Sequence, residues 1–518
     1  METARGAAQA ERAANQVACL RFLADADEAR TVGVLSEATG LSRPTVHAVL
    51  DDLVDAGLVE PTTPATAGPG RPARAFRFAR EAGLVAAVDL GPRGARAIIC
   101  DLSGHRVAYA ELPTTTPADL SLIPRALQAA ASSTEAAGAV RPGSGPANAA
   151  PARADGERGA PSVAPDSAGA EHSAPDGTAT TTARSALGGV GVGGAGSAVG
   201  GVGVGGAGSA VGGVGVGGAG SALGGVGVGG AGSALGGVGV GGAGSAVGGV
   251  GGGAERLVRG DASASAAVDL GRLRAVGVGL PGVVEGDGRL RASLAMPGLV
   301  GLPVGELLEK ELGVPVVVDN DIKLAALAEQ RGGAGLGYSD VVYLQIGHRL
   351  SVSIVLNGVI RQGRHRLAGE LGAQRGMRWT RNAQRGQLVW SARPTGAEVL
   401  TAAAAGDPGA QAELEDFCTQ IASRIATVLL VVDPEVVVVR GGPAADSSAL
   451  LRPLAAAVEN ELVFPERPPF VAAALGREAV VLGAVGNAFD RFSPAIYGIQ
   501  DFPSPWSNII HEVERTTH

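Results

Sequence analysis

The chain has 518 residues, of which 45% are hydrophobic but only 3% aromatic, and a formal net charge of −8 at pH 7. This length allows two or three domains with aliphatic cores. The negative charge excludes a generally basic nucleic-acid coat, so any DNA contact must come from a local patch. Cys19, Cys100 and Cys418 form no CxxC pair, which argues against a disulfide framework and a cysteine-based zinc site. Without a signal-peptide pattern or an unbroken apolar run of about 18 residues, we expect a soluble cytoplasmic protein with no membrane partner.

The stretch 41–60, LSRPTVHAVLDDLVDAGLVE, predicts an amphipathic helix. Ser42 stands where an N-cap belongs, Pro44 lies in the first turn, and Gly57 is placed to end the helix. Two shorter predicted helices, 12–24 and 32–39, come before it, which is typical of a helix-turn-helix. The apolar residues follow the i, i+3, i+4, i+7 spacing of one helix face: Val46, Val49, Leu50, Leu53 and Val54.

The next segment, GPGRPARAFRF, alternates like the hairpin of a wing. Four arginines and no acid lie between Pro61 and Arg80, so the wing can contact phosphates or a minor groove. The alternative is a solvated hairpin with no DNA contact. Residues off the apolar face of the third helix would point into the major groove. The predicted DNA-binding residues are Ser42, Arg43, Thr45, His47, Arg71 and Arg74.

A second domain begins near Leu84 with three predicted strands, LVAAVDLG, ARAIICDLSG and VAYAELP. The Asp-x-Gly that ends the first strand is either a phosphate-cradling turn or a plain hairpin turn. From Arg274 onward, predicted strands alternate with helices, which indicates an α/β domain with mixed sheets.

Residues 132–267 interrupt this domain with a low-complexity insert. A twelve-residue unit, GGVGVGGAGSAV or its leucine variant, begins at Gly188 and recurs four times. Because ordering so much glycine is entropically costly, we predict a disordered loop. The alternative is a repeat that self-associates. A solenoid is disfavoured, since each unit offers little apolar area for stacking. The predicted boundaries are 1–82, 83–131, 132–267, 268–495 and a C-terminal tail at 496–518.

The order of these motifs resembles the ROK family of repressors, open reading frames and sugar kinases. The motifs that carry the resemblance are VDLGPRGAR, VGVGLPGVV, LPVGELL, VVVDNDIKLAALAE, RLAGELG and DPEVVVVRGG. The resemblance implies a two-lobed, actin-like (ribonuclease-H-like) fold of the ATPase and sugar-kinase type, and homodimers or homotetramers. With the winged helix in front, it implies a DNA operator as partner and a sugar or sugar-phosphate effector.

The sequence departs from the kinase pattern at both phosphate loops. Asp89 and Gly91 of the first loop are present, but Arg93 replaces the threonine that the resemblance implies. The second loop reads Gly347-His348-Arg349 instead of a glycine-rich cradle. A backbone-lined phosphate site needs glycine for close approach. We therefore predict no kinase activity and no cofactor.

The resemblance also assigns the effector pocket. Asp321 matches the family's general base, and Asn320 and Glu370 match its sugar contacts, so these three residues are the predicted effector site. Asp321 is a catalytic candidate only if the protein is a kinase. Ala373 replaces the histidine that binds both sugar and zinc, and the segment MRWTRNAQRGQLVW has no cysteine. No structural zinc is therefore predicted.

Together these features predict a sequence-specific transcriptional regulator of the ROK type, a repressor that senses a carbohydrate and lacks kinase activity. The alternative is an ATP-dependent sugar kinase with a DNA-binding head. A degenerate pocket that senses something else, or nothing, also stays open.

Overall fold

The computed structural model describes most of the chain. It leaves out residues 1, 27, 63–73, 116–117, 134–182, 253–266, 348, 375–386, 442–446, 465 and 517–518, and the links between the strands of the insert. The chain divides into two compact units, one formed by residues 1–142 and 265–518 and the other by residues 143–264.

The N-terminal segment contains three helices and a small antiparallel sheet, which confirms the predicted winged helix-turn-helix. Strands β2 and β3 pair with Val59 opposite Phe78, and β1 adds to the other side of β3. The wing tip, including Arg71, lies outside the described residues. The elements are α1 (Glu2–Ala24), β1 (Arg30–Thr31), α2 (Val32–Thr39), α3 (Arg43–Asp55), β2 (Val59–Thr62) and β3 (Ala75–Phe78).

Helix α3 forms as its sequence predicts. Ser42 has an extended backbone, and its Oγ accepts the N–H of Thr45 at 3.3 Å, which satisfies one of the unpaired donors at the helix start. Val46 and Leu50 are fully buried against the other helices. Gly57, with φ +72°, takes the left-handed conformation that turns the chain into the wing.

A short 3-10 helix, Arg80–Ala82, leads into the second domain. Three strands follow as an antiparallel meander in which Asp89 lies opposite Arg96, and Arg96 opposite Glu111. These elements are β4 (Leu84–Gly91), β5 (Gly94–Asp101), β6 (Arg106–Pro113) and the helix α4 (Leu122–Ser132).

In the insert, the described backbone forms parallel strands. Val202 lies opposite Val214, and Val214 opposite Val226, so the register offset equals the twelve-residue repeat. Identical units one period apart let the backbone of each strand pair with the next. The strands are β7 (Ala183–Leu187), β8 (Val190–Val192), β9 (Ala195–Val199), β10 (Val202–Val211), β11 (Val214–Leu223), β12 (Val226–Val228), β13 (Ala231–Leu235), β14 (Val238–Val240), β15 (Ser245–Val247) and β16 (Val250–Gly252).

After the insert, the chain completes the first five-stranded sheet, whose order is β20-β17-β4-β5-β6. Strand β17 runs parallel to both β4 and β20, so the carboxyl ends of these three strands lie at one edge. The added elements are β17 (Leu273–Leu280), β18 (Val283–Val284), β19 (Leu290–Ala292), α5 (Val304–Leu312), β20 (Val316–Asn320) and α6 (Asp321–Gly332).

The second lobe has its own five-stranded sheet, with the order β23-β22-β21-β24-β25. Strands β21, β24 and β25 are parallel. The elements are β21 (Val341–Ile346), β22 (Leu350–Leu356), β23 (Val359–Ile360), α7 (Gly396–Ala404), α8 (Pro408–Val432), β24 (Val436–Arg440), α9 (Ser448–Glu459), β25 (Phe470–Ala472), α10 (Ala479–Arg491), α11 (Ser493–Tyr497) and α12 (Trp506–Thr516).

Helices α6 and α10 pack between the two sheets in one continuous apolar core. Helices α4 and α5 cover the outer face of the first sheet, and α7, α8 and α9 cover that of the second. This arrangement confirms the predicted two-lobed, actin-like fold. Close packing requires glycine at the contacts: a Cβ at Gly277 would lie 1.9 Å from the carbonyl oxygen of Ala484, and one at Gly483 would lie 1.9 Å from that of Leu324.

Three helices are not anticipated by the sequence analysis. Helix α7 begins with a capping box between Thr395 and Glu398, a signal that was available in the sequence. Helix α11 leads into the tail, and α12 lies in it. At the start of α12, Trp506 packs against Gly486 and donates its Nε1–H to Asp490 at 3.2 Å. No helix that the structure describes is long and apolar enough to cross a membrane.

Candidate functional site

The start of α3 presents two exposed side chains, Arg43 and His47, one helical turn apart. The hydroxyls of Ser42 and Thr45 lie 2.7 Å from each other, and Ser42 also caps the helix. Ser42 and Thr45 therefore shape the helix terminus, while Arg43 and His47 remain exposed to solvent.

The wing arginines have different surroundings. The guanidinium of Arg74 lies over the ring of Phe76, 5.1 Å from its centroid. Arg77 Nη2 donates to Glu60 at 2.7 Å, and Arg80 lies 3.8 Å from Asp101. Among the wing arginines that the structure describes, only Arg74 lacks a carboxylate partner, so the positive charge of this surface is smaller than the sequence suggests.

One acid on α3 is already neutralised. Arg12 on α1 donates its Nε–H to Asp52 Oδ2 at 2.8 Å, and Gln16 donates to the same oxygen at 3.3 Å. The hydrogen bond from Arg12 keeps the pKa of Asp52 below its usual range. This contact ties α1 to α3 and reduces the repulsion that Asp52 would exert on DNA.

A cavity of about 1140 Å³, called the cleft below, lies beside the carboxyl ends of the parallel strands in both sheets. Asn320, Asp321 and Glu370 all line it. Open α/β sheets bind ligands at such strand ends. The sequence left open whether these three residues share one site, and the fold brings them together. The four carboxylates that line the cleft are those of Asp89, Glu111, Asp321 and Glu370.

Asp321 is the first residue of α6, and its Oδ1 accepts the N–H of Ile322 at 2.9 Å. Burial raises its pKa to about 7, and the nearby carboxylates of Asp89 and Glu370 act in the same direction. A carboxyl group with this pKa can donate or accept a hydrogen bond from a ligand hydroxyl near neutral pH.

Asn320 has a structural task within the cleft. Its Oδ1 accepts the N–H of Lys323 at 3.0 Å and so caps α6, while its Nδ2 donates to the carbonyl oxygen of Gly282 at 2.7 Å. Both ends of the amide are therefore occupied. This side chain holds the loop after β17 against the start of α6.

Glu370 begins the short 3-10 helix Leu371–Ala373, and burial raises its pKa. The buried Lys323 lies near it and donates its Nζ–H to Gln362 Oε1 at 2.9 Å and to the carbonyl oxygen of Arg366 at 3.1 Å. These contacts fix the loop that carries Glu370 against α6. Lys323 was not among the predicted site residues.

The two turns that the sequence analysis compared with phosphate loops each carry an arginine side chain. Arg93, in the turn between β4 and β5, is exposed and lines the cleft, as does Arg349 in the turn between β21 and β22. Arg96 bridges two acids: its Nη1 lies 3.2 Å from Asp89 Oδ2, and its Nε lies 2.6 Å from Glu111 Oε1. Burial raises the pKa of Asp89.

Arg440 is a cleft residue that the sequence analysis missed. It ends β24, is only 4% exposed, and donates its Nη1–H to Gln345 Oε1 at 3.1 Å. The signal was a charged residue directly after four valines at the end of a buried strand. Its charge acts on Asp89 and Asp321 and lowers the pKa of each, opposing the effect of burial.

The residues present do not fit the zinc site that the resemblance implies. Within the described parts of the chain, no group of three or more His, Cys, Asp or Glu side chains could hold a metal ion. Ala373 stands at the histidine position, and the sequence of 375–386, which lies outside the described residues, contains no His, Cys, Asp or Glu.

Comparison with known families agrees with this geometry. A model of the ROK family matches residues 261–489, and a model of the MarR family matches residues 12–68. The chain carries a ROK family domain behind a MarR-type winged helix. Residues Asn320, Asp321 and Glu370 lie within the ROK match, and Arg43 and His47 lie within the MarR match.

Among solved structures, a ROK family transcriptional regulator described as a homolog of E. coli MLC protein is similar along nearly the whole chain. It shares 15% identity and a TM-score of 0.51, with 97% of this chain and 99% of that chain covered. A ROK family glucokinase from Streptomyces griseus shares 18% identity with a TM-score of 0.44, covering 78% of this chain and 99% of its own. At these identities the likeness to the regulator shows the fold alone.

Among curated proteins, the bifunctional enzyme NanE/NanK of Brucella melitensis is 32% identical over 169 residues. The match covers 30% of this chain, and the chain spans about a third, 32%, of that enzyme. The corresponding enzyme of Brucella suis matches equally, with 31% of its length covered.

Proposed function

We propose that this protein is a cytoplasmic transcriptional repressor whose DNA affinity is controlled by a sugar-derived effector bound in the cleft, and that it has no kinase activity. The observation that carries the proposal is the combination of an exposed Arg43–His47 pair on α3 with a cleft whose phosphate turns present Arg93 and Arg349. The N-terminal winged helix would bind DNA through α3. The cleft would bind the effector through polar side chains, without a glycine-rich backbone loop for phosphate.

The two strands that reach the cleft also contact the DNA-binding head. Strand β5 runs from the cleft at Gly94 to Asp101, and the next residue, Leu102, donates its N–H to the carbonyl oxygen of Arg80 at 2.9 Å. Arg274 at the start of β17 donates to the carbonyl oxygen of Ala82 at 3.3 Å. A ligand that favours one arrangement of β5 and β17 would therefore shift the head through the Arg80–Ala82 helix.

The test of DNA recognition is a footprint and a titration on the DNA upstream of the protein's own gene. We expect a protected site, and a loss of roughly 1–3 kcal/mol on Arg43→Ala if the guanidinium binds a guanine bidentately. The matched control is Arg21→Ala, because Arg21 is exposed on α1 and pairs with Asp25 on the same helix. Sequence-independent binding, or equal losses for both variants, would contradict the proposal.

A sugar kinase is the second candidate, favoured by the position of Asp321 and Glu370 in one cleft. General-base catalysis would require Asp321 to take a proton from a sugar hydroxyl during phosphoryl transfer. A coupled assay of ADP release over hexoses and N-acetylated sugars decides between them. Turnover that Asp321→Asn abolishes would replace our proposal with the kinase.

A further inference from the structure

Three exposed apolar side chains line the cleft and are called the apolar patch below. Leu294 is 43% exposed, Val300 is 42% exposed and Leu367 is 51% exposed. A single exposed leucine carries no functional information. Here, three of the twelve large apolar side chains that are exposed in the described part of the chain line the same cavity. Exposed apolar groups that are gathered in this way mark a binding surface.

The apolar patch comes from two segments that contact each other. Leu294 and Val300 follow β19 in the first lobe, and Leu367 lies in the loop after β23 in the second. Arg291 in β19 donates its Nη2–H to the carbonyl oxygen of His365 at 2.6 Å. This hydrogen bond lies within three residues of both leucines, so the side chains from the two lobes belong to one surface.

Further hydrogen bonds fix the chain beside both leucines. Ser293 donates its Oγ–H to the carbonyl oxygen of Pro281 at 2.5 Å and accepts the N–H of Met296 at 3.0 Å. In the second lobe, the carbonyl oxygen of Arg366 accepts from the buried Lys323 at 3.1 Å. A ligand that covers the patch would therefore lose little free energy to the ordering of these segments.

Polar groups adjoin the apolar patch. Glu370 follows Leu367 by three residues, and both line the cleft together with Asp321. Carboxyl groups form hydrogen bonds with hydroxyls, which leucine and valine side chains cannot do. Pockets for drug-sized ligands have volumes of roughly 300–1,000 Å³. The cleft, at about 1140 Å³, therefore has room for a sugar ring and a further group.

We propose that the effector is a glycoside with an apolar aglycone, an aryl or alkyl group, and that the apolar patch binds this aglycone. The inference rests on the proposed function, in which the cleft binds a sugar-derived effector. The sugar ring would form hydrogen bonds with Asp321 and Glu370, while the aglycone would cover Leu294, Val300 and Leu367. Covering about half of one leucine side chain favours binding roughly fivefold. A ligand without the aglycone would leave all three apolar side chains in water.

The test is calorimetric titration of the full-length protein with paired methyl and phenyl glycosides of glucose, galactose, mannose and N-acetylglucosamine, in both anomers. We expect the phenyl glycoside of the recognised sugar to bind at least tenfold more tightly than its methyl counterpart. Leu294→Asn and Leu367→Asn should each weaken binding of the phenyl glycoside about fivefold and leave that of the methyl glycoside unchanged. The matched control is Leu307→Asn, because Leu307 is 42% exposed on α5 and lies outside the lining of the cleft.

Four results would overturn the inference. They are no binding of any phenyl glycoside, equal affinities within every methyl and phenyl pair, phenol binding as tight as that of the phenyl glycosides, and unchanged phenyl-glycoside affinity in both cleft variants. The sedimentation of the variants examines the other occupant of the patch. Smaller assemblies of Leu294→Asn and Leu367→Asn, without glycoside binding by the wild type, would assign the patch to a second copy of the chain and also overturn the inference.

The footprint separates this inference from the proposed function. Specific DNA binding without a preference for phenyl glycosides leaves a regulator with another effector and removes the apolar subsite. Binding of phenyl glycosides without specific DNA binding supports the apolar subsite and removes the regulator.

Discussion

The unusual protonation of Asp321 should make the stability of the protein depend on pH. Its pKa is raised from 3.8 in the reference state to about 7 in the fold. Between these values the folded protein holds a proton that the unfolded chain has released. The free energy of unfolding therefore falls as pH rises through this window, and the full penalty is reached above about pH 7.

The magnitude follows from the shift. Three pKa units correspond to about 4 kcal/mol, at about 1.36 kcal/mol per unit. Asp321 is half-buried at the edge of an open cleft, so water relieves part of this penalty. We expect about 2 kcal/mol to be lost between pH 4 and pH 8. Asp89 and Glu370 face the same cleft and have raised pKa values as well. The prediction therefore concerns the difference in the free energy of unfolding between the wild type and Asp321→Asn.

The measurement is urea unfolding of the wild type and Asp321→Asn, followed by tryptophan fluorescence from pH 4 to pH 8. The asparagine variant should gain stability relative to the wild type as pH rises, by about 2 kcal/mol in total, with a plateau above about pH 7. Asp416→Asn, at an exposed position on α8, should run parallel to the wild type. A difference between Asp321→Asn and the wild type that stays constant over this range would refute the reasoning.

Two further predictions concern the contacts that hold the lobes together. Gly483→Ala places a Cβ 1.9 Å from the carbonyl oxygen of Leu324 and should lower the free energy of unfolding by about 3 kcal/mol or more. The control Gly298→Ala has open space around it and should change the urea midpoint little. Equal midpoints for the two variants would show that α10 can move away from α6. Glu329→Gln removes a buried carboxylate that accepts three backbone N–H groups. It should lower the free energy of unfolding by about 2–3 kcal/mol in the same assay. An unchanged midpoint would mean that those amides find other acceptors.

The DNA-binding head was largely predictable from its residues. Helix α3 is determined by local sequence signals. These are the Ser42 cap, the apolar spacing around Val46, and Gly57 at the end. Such signals act between residues within one or two helical turns, so the helix can be predicted from its own sequence. What it could not predict was the pairing of Arg77 with Glu60 across the wing, which reduces the charge available for DNA.

The pairing of the described strands in the insert follows its repeat. The repeat and its period of twelve are plain in the sequence. Parallel pairing of its described strands depends on hydrogen bonds between successive units, which no single unit contains.

The sequence by itself determined that a helix-turn-helix precedes an α/β domain, and that Asp321 directly follows a buried strand. Its resemblance to a known family added the two lobes, the assignment of Glu370 and the altered phosphate loops. Only the tertiary structure decided that these residues line one cleft with Arg93, Arg349 and Arg440. It also assigned Asn320 to capping α6 and holding Gly282. The physical reason is distance along the chain: side chains hundreds of residues apart acquire a common dielectric environment and common partners only after both sheets have folded around α6 and α10.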